Sequence, residues 1–510
     1  MFPSISKSNG GGRENHTIVT ELDGTLLISR TPFPYFMLVA FEAGGPIRAL
    51  MLLLISPIIW VLEILGHGPT ALQIMIFVAM AGLRVADIKA VAKAVLPRFY
   101  LDDIHGNVYK MFSCFGGKKY VVSSMPKIMI EPFVREYLDV DHVIGTDLRS
   151  RSGYCIGLPA APGIIRGAHR LDALRLAMGS DGEINVGLGS GVGDHSFMWL
   201  CQEGYVIPSG EKPSRLDRND YPKPLIFHDG RFVLRPTPLD SMAIFLWLPL
   251  GILLAISRLL VGNLLPYKLG LLGAAATGLR IRAKFSSRDS HLHCTCHSCD
   301  TSTPCTCGVC GTTQREMGTL YVCSHRTLID PVIVASTLQR RVTAVTYSVS
   351  RLSEILSPIR TVRLRRDRAK DGEMMRALLM DGDLVVCPEG TTCREPYLLR
   401  FSPLFAEIAD AVVPVAVSAD TSMFYGTTVR GYKWLDSFFF LMNPRPNYRL
   451  DFLQRVPVGP AGMSLGRSSY DVANHVQEAI ARVLGYQCTS FTRRDKYRML
   501  AGNDDVGPTS

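Results

Sequence analysis

Short apolar runs recur along the last third of the chain, at residues 319–323, 342–347, 384–387 and 412–417, with helix-like stretches such as Glu373 to Met380 between them. Runs of this length, rich in valine and bounded by polar residues, predict the buried strands of a parallel sheet. The same alternation occurs earlier, at 17–20, 120–123 and 142–145. The pattern therefore predicts an α/β chain with two such units, over residues 15–235 and 315–490. Two regions are too apolar for this scheme. The first, residues 46–83, is broken by Pro57 and by Gly66 to Pro69. The second lies within residues 236–290. It is uncharged from Ser241 to Ser257, and only Arg258 and Lys268 interrupt it before Arg280. A spanning helix needs about 20 apolar residues, so each region accommodates one long membrane span or a hairpin of shorter helices. The breaks also permit shallow helices that do not cross. Residues 69–83 read equally well as core helix of a soluble fold. A cysteine-rich linker at 291–314 and a loose tail at 491–510 complete the division.

The chain has 510 residues and a net charge of +10, which suits phosphate esters, coenzyme A or an anionic membrane face. No nucleic-acid motif accompanies the charge, so nucleic acid is not expected as a partner. Thirteen cysteines, an odd count, and the lack of an apolar stretch in residues 1–35 predict a reducing compartment and no cleaved signal peptide.

Chemistry concentrates where two of the apolar runs end. His325 and Asp330 form an HxxxxD element after residues 319–323. In one straight helix five residues turn through about 500°, so the pair meets only across a turn. If it does, the histidine takes a proton from an alcohol while the aspartate fixes its tautomer. Alone, the element reads as a satisfied histidine beside a capping aspartate. Glu389, Gly390 and Thr391 follow Pro388 after residues 384–387. There Gly390 permits close backbone approach to a ligand and Thr391 can donate to a phosphate oxygen. Between the two elements lie arginines at 360, 363, 365, 366 and 368. Alternation would send 363 and 365 to one face of a strand and 366 to the other. One or two are expected on phosphate, through guanidinium forks, and the rest on a solvated or membrane-facing stripe. Together these elements point to acyl transfer onto an alcohol that carries a phosphate.

This order of blocks resembles the land-plant glycerol-3-phosphate acyltransferases, in which a HAD-type phosphatase-like domain precedes a glycerolipid acyltransferase domain. The matching segments are Val322 to Pro331, Thr343 to Ser348, Ser357 to Leu364, Cys387 to Thr391 and Val413 to Val417. The resemblance covers nearly the whole chain. It implies membrane-bound transfer from acyl-CoA to glycerol 3-phosphate, at the 2-position, giving lysophosphatidic acid. His325 would be general base and Asp330 its orienter, with Arg363, Arg366, Glu389, Gly390 and Thr391 on the phosphorylated substrate. No cofactor is implied. The implied setting is the endoplasmic reticulum with the site facing the cytosol; residues alone leave a mitochondrial membrane open. The implied pathways are cutin, suberin and other lipid synthesis. A lysophospholipid acceptor and a non-enzymatic membrane scaffold are the alternatives. Ser324 departs from the asparagine expected there, a mild change.

The N-terminal resemblance is to a decayed site. Glu21 to Thr25 (ELDGT) matches a DxDGT signature except that its nucleophile position is Glu21, with Asp23 second. The longer side chain displaces the carboxylate, and misplacement by about 1 Å can cost roughly a hundredfold. Ser123 survives, Arg166 stands in charge for an expected lysine, and the metal motif GDxxxD reads GSxxxD, keeping only Asp194. A structural or regulatory domain with little phosphatase activity is expected. His291 to Cys310 repeats Cys-x-Cys-x-x-Cys twice. Zinc at Cys294 to Cys310 is the less favoured reading beside a reduced linker, because the repeat offers more ligands than one site takes.

Overall fold

A computed structural model describes residues 2–5, 12–179, 183–190, 196–207, 213–286, 317–347, 351–458 and 468–502. The chain divides into two units, Met1–Leu246 and Trp247–Ser510. The expected cysteine-rich linker and Asp194 lie outside the described residues.

The first unit contains β1 (Ile18–Glu21), β2 (Lys119–Pro126), β3 (His142–Thr146), the hairpin β4 (Leu148–Arg151) and β5 (Tyr154–Pro159), β6 (Ile184–Ser190) and β7 (Cys201–Ile207). Its main sheet has the order β3-β2-β1-β6-β7 and is parallel throughout. Ile18, Val19, Val121, Val122, Val186 and Leu188 are buried, as expected where helices cover a parallel sheet. β1 lies between β2 and β6, with Glu21 at its carboxyl end. The helices are α1 (Phe33–Glu42), α2 (Pro46–Ile64), α3 (Gly68–Met80), α4 (Val85–Ala94), α5 (Leu96–Leu101), α6 (Gly106–Ser113), α7 (Lys127–Leu138) and α8 (Ala168–Met178).

The apolar regions resolve into helices of unequal kind. The 19-residue α2 and the 27-residue α9 (Pro238–Leu264) are long and apolar enough to cross a membrane, and few of their side chains are buried. The 13-residue α3 is shorter; it buries Ala71, Leu72, Met75, Ile76, Ala79 and Met80 and packs on α1, α2 and β5. For α3 the core reading holds. Arg258, the charge that interrupts α9, is buried; it donates to the carbonyls of Leu441 (2.6 Å) and Asn443 (2.7 Å), fixing the helix end to that loop. Helix α10 (Tyr267–Ala276) follows.

The second unit carries β8 (Arg280–Phe285), β9 (Leu320–Cys323), β10 (Val342–Thr346), β11 (Thr361–Arg363), β12 (Asp383–Val386), β13 (Tyr397–Leu398), β14 (Ala411–Asp420), β15 (Asn447–Phe452), β16 (Val456–Pro457) and β17 (Gln487–Cys488). Its eight-stranded sheet runs β11-β10-β12-β9-β14-β15-β8, with β16 on β14. The strands from β11 to β14 are parallel, and β15 is antiparallel to β14. Helices α11 (Asp330–Leu338), α12 (Arg351–Ile355), α13 (Arg368–Asp381), α14 (Asp436–Leu441), α15 (Ser469–Leu484) and α16 (Arg493–Ala501) complete it. Leu384, Val386, Leu379, Val412, Val476 and Ile480 share one core, each burial contributing about 1.5–3 kcal/mol relative to exposure.

Two boundaries differ from those expected. Residues 236–290 are not helical to their end, because β8 pairs with β15 and joins the sheet. Residues 491–510 are not all tail. The Asp495 carboxylate accepts from the Thr492 N–H and hydroxyl, both at 2.7 Å, and caps α16, which buries Lys496, Tyr497 and Leu500.

Candidate active site

β9 and β12 are neighbours with Val322 opposite Val386, so the loops at their carboxyl ends lie side by side. His325 leaves the first and Glu389 the second. The chain turns over residues 326–329 before α11 begins at Asp330, so the pair meets across that turn: His325 Nδ1 lies 3.1 Å from Asp330 Oδ2. Asp330 is fully buried. It accepts from the backbone of Arg326 (2.6 Å) and Thr327 (2.9 Å), the Thr327 hydroxyl (2.7 Å) and the Tyr448 hydroxyl (3.1 Å). A carboxylate held this way keeps the proton of the neutral ring on Nδ1 and leaves Nε2 as the basic nitrogen. Ser324, just past β9, is held against β14, its hydroxyl donating to Val417 O (3.1 Å) and accepting from Val417 N–H (2.9 Å).

Glu389 lines the same cavity as His325, and its carboxylate is held by the backbone. It is 3% exposed; one carboxylate oxygen accepts the His325 N–H (2.8 Å) and the other the Leu399 N–H (2.9 Å). Arg326, buried, approaches it at 3.8 Å and donates to the carbonyls of Cys393 (2.5 Å) and Tyr397 (3.0 Å). Burial raises the Glu389 pKa, against the pull of Arg326 and the two backbone donors. Glu389 therefore ties the two loops together, and it also belongs to the lining of the cavity they open onto. Gly390 has φ +67°, a backbone that glycine adopts without strain, and turns the chain so that Thr391 lines the cavity.

Arg363 departs from expectation. It is exposed and its guanidinium donates to Glu354 at 2.9 Å and 3.1 Å, and it does not line the cavity. Strand alternation fails beyond it because β11 ends there. The N–H groups of Arg365 and Arg366 donate to Asp371 of α13 (2.8 and 3.0 Å), and Arg366 takes φ +65°. That turn delivers Arg366 to a cavity of about 430 Å³ lined also by His325, Gly390 and Thr391. Arg400, Lys433 and Arg493 complete its basic lining. Sequence reading passed over these three; they come from segments with no local motif. An apolar cavity of about 210 Å³ adjoins it, sharing Leu328, Pro331 and Thr346, with walls from α9, α10 and α14.

In the first unit, Glu21 ends β1 and pairs with Arg170 of α8 at 2.8 Å; both side chains are largely buried. The Ser190 hydroxyl donates to the other Glu21 oxygen at 3.4 Å. Asp23 accepts from the hydroxyls of Ser123 (2.9 Å) and Ser124 (3.1 Å) and from Ser124 N–H (3.0 Å). Burial and the charge of Glu21 push the Asp23 carboxyl above its usual range, against those hydrogen bonds. Glu21, Asp23 and Ser123 thus converge as expected. The cation among them is Arg170, whereas Arg166, expected in that role, lies beside Glu63 and Gly68. Among the described residues no group of three His, Cys, Asp or Glu side chains is placed to hold a metal ion.

Residues 309–418 match the family model described as Acyltransferase, and residues 17–207 match that of the glycerol-3-phosphate acyltransferase RAM2-like, HAD-like domain. The chain is 47% identical over 490 residues to glycerol-3-phosphate acyltransferase RAM2 of Petunia hybrida, covering 96% of this chain and 98% of that one. It is 43% identical over 534 aligned positions to glycerol-3-phosphate acyltransferase 1 of Arabidopsis thaliana, covering 99% and 87%. The chain belongs to the plant glycerol-3-phosphate acyltransferase family. Both halves of the family pattern are thus present, an α/β acyltransferase domain and a HAD-like α/β domain before it. For a member of this family the two sites are in opposite condition. The His325 cavity has its basic nitrogen and cations facing one space, while Glu21 is neutralised by a cation from its own domain.

Proposed function

We propose that this protein transfers an acyl group from acyl-CoA to the 2-hydroxyl of glycerol 3-phosphate. The observation that carries this reading is the His325–Asp330 pair opening onto one cavity with Arg366 and Thr391. The hydroxyl oxygen attacks the thioester carbonyl as its proton passes to His325 Nε2. The C–S bond then breaks, and the imidazolium returns the proton to the departing thiolate. Asp330 stabilises the imidazolium throughout. No acyl-enzyme is needed. The acyl chain enters the adjoining apolar cavity, whose walls include the apolar helices α9 and α10, consistent with a donor delivered from a membrane. Arg366 and Thr391 hold the acceptor phosphate.

The product is lysophosphatidic acid, because the HAD-like domain does not dephosphorylate it. The Glu21–Arg170 pair supports this, since a nucleophilic carboxylate bound to an internal guanidinium is not presented to phosphorus. The setting is the endoplasmic reticulum membrane with the site facing the cytosol, and the pathway is lipid or extracellular polyester synthesis of the cutin or suberin type.

The test is an assay of the full chain in detergent with acyl-CoA and radiolabelled glycerol 3-phosphate, followed by separation of lipid products. Persistent lysophosphatidic acid is expected. Monoacylglycerol would overturn the reading of the HAD-like domain. No product, with transfer to a lysophospholipid instead, would overturn the acceptor.

A further inference from the structure

Helix α16 lies beyond the residues matched by the acyltransferase model, which end at 418, yet it forms one wall of the His325 cavity. Its Arg493 and Tyr497 line that cavity, and Lys496 lies behind them. Lys496 is buried and donates to Thr392 O at 2.5 Å, with Thr391 Oγ1 at 3.4 Å, so it braces the turn that follows Gly390. Tyr497, also buried, accepts a hydrogen bond from Lys433 Nζ at 2.7 Å. Its ring stands 4.8 Å from that ammonium and 5.4 Å from the Arg493 guanidinium, so one phenol positions two cations. Burial raises the Tyr497 pKa, but Lys433, Lys496 and Arg493 bring it below the usual value of a phenol. Burial and then the charge of Arg366 push the Arg493 pKa down.

We propose that α16 completes the phosphate site of the acceptor: Arg493, which lines the same cavity as Arg366, and Lys433, held by Tyr497, receive the phosphate monoester of the alcohol that His325 deprotonates. This rests on the transferase reading above and names residues that the acyltransferase core does not contain. The ligand chemistry is a phosphate dianion, to which guanidinium groups fork bidentately and an ammonium adds a point charge. Acyl-CoA also carries phosphates, but the pantetheine arm separates them from the reacting carbonyl. In glycerol 3-phosphate only a few bonds lie between the attacked hydroxyl and the phosphate. Cations sharing one cavity with His325 therefore suit the acceptor.

The experiment measures both Michaelis constants for Arg493→Gln in the full chain in detergent. The KM for glycerol 3-phosphate should rise about tenfold to a hundredfold, the loss expected for a charged hydrogen bond. The KM for acyl-CoA should stay unchanged and kcat should change less. Tyr497→Phe, which keeps the ring and releases Lys433, should raise the same constant by a smaller factor and serves as the second variant if Arg493→Gln does not fold. A rise confined to the acyl-CoA constant would assign these cations to the donor and overturn the proposal, as would no change in either. Binding of radiolabelled glycerol 3-phosphate without donor separates the two readings. Wild-type binding that Arg493→Gln abolishes, without any acyl transfer, leaves the phosphate site standing while the transferase reading fails. Wild-type transfer with unaltered constants in the variants has the opposite meaning.

Discussion

His325 and Glu21 begin from the same design. Glu21 is the last residue of β1 and His325 follows β9 by two residues, each strand buried and parallel to both its neighbours, and each residue meets charged side chains from elsewhere in its own unit. What those partners neutralise separates them. In the acyltransferase unit the buried acids act inward: Asp330 orients the ring and Glu389 ties the loops through backbone N–H groups. The cations Arg366, Lys433 and Arg493 line one cavity with the ring. In the HAD-like unit Arg170 bonds directly to Glu21, and Ser123 and Ser124 to Asp23. A motif can therefore keep most of its letters and its place in the fold while its reactive group is occupied from within.

The largest effect that sharpens this contrast is expected from His325→Ala. Loss of a general base costs about 10²- to 10⁴-fold, read as the rate of acyl transfer at saturating substrates. Transfer at the wild-type rate would break the comparison on the acyltransferase side.

Next come two stability measurements on matched buried pairs. Glu389→Ala takes from Arg326, which is 3% exposed, one of the two carboxylates that act on it (Glu395 is the other), leaves the His325 and Leu399 N–H groups without their acceptor, and is expected to cost about 3–5 kcal/mol. Glu21→Ala takes from Arg170, also 3% exposed, the carboxylate bonded to it and is expected to lower stability on the same scale. Thermal unfolding in detergent reads both. The difference lies in activity per folded molecule: Glu389→Ala should lose acyl transfer, because the His325 loop is no longer tied, and Glu21→Ala should keep it. Equal loss in both would remove the distinction between the sites.

The smallest effect is spectroscopic. Folding lowers the Tyr497 pKa from the usual 10.0, so its ionisation favours the folded state. That contribution is complete above pH 10 and is lost as pH falls through the folded value. An ultraviolet titration should show one phenol ionising below pH 10 that disappears in Tyr497→Phe. Identical titration curves would mean that Lys433 does not hold this hydroxyl.

The strand runs at 319–323, 342–347, 384–387 and 412–417 were legible because burial on both faces of a parallel sheet forces continuous apolar sequence, and β9, β10, β12 and β14 lie on them. The His325–Asp330 contact was legible for a local reason, since only a turn separates the two residues. Arg363 was misplaced because strand alternation was carried past the point where β11 stops, and the ties of Glu389 to the His325 and Leu399 N–H groups were not legible because spacing says nothing of which backbone donors face a carboxylate. α16 was missed because a polar, strongly charged helix has the composition of a tail. Its cap from Thr492 to Asp495 was the available signal.

The sequence by itself therefore determined the α/β class, the two apolar helices α2 and α9, and the meeting of His325 with Asp330. All of these follow from periodicity or from neighbours a few residues apart. Only the tertiary structure decided which cations share the cavity with His325, that Arg170 rather than Arg166 neutralises Glu21, and that Lys496 braces Thr391 across 105 residues of chain. Such meetings depend on how whole elements pack. Local sequence records how deeply a residue is buried, but not which distant side chain it meets there.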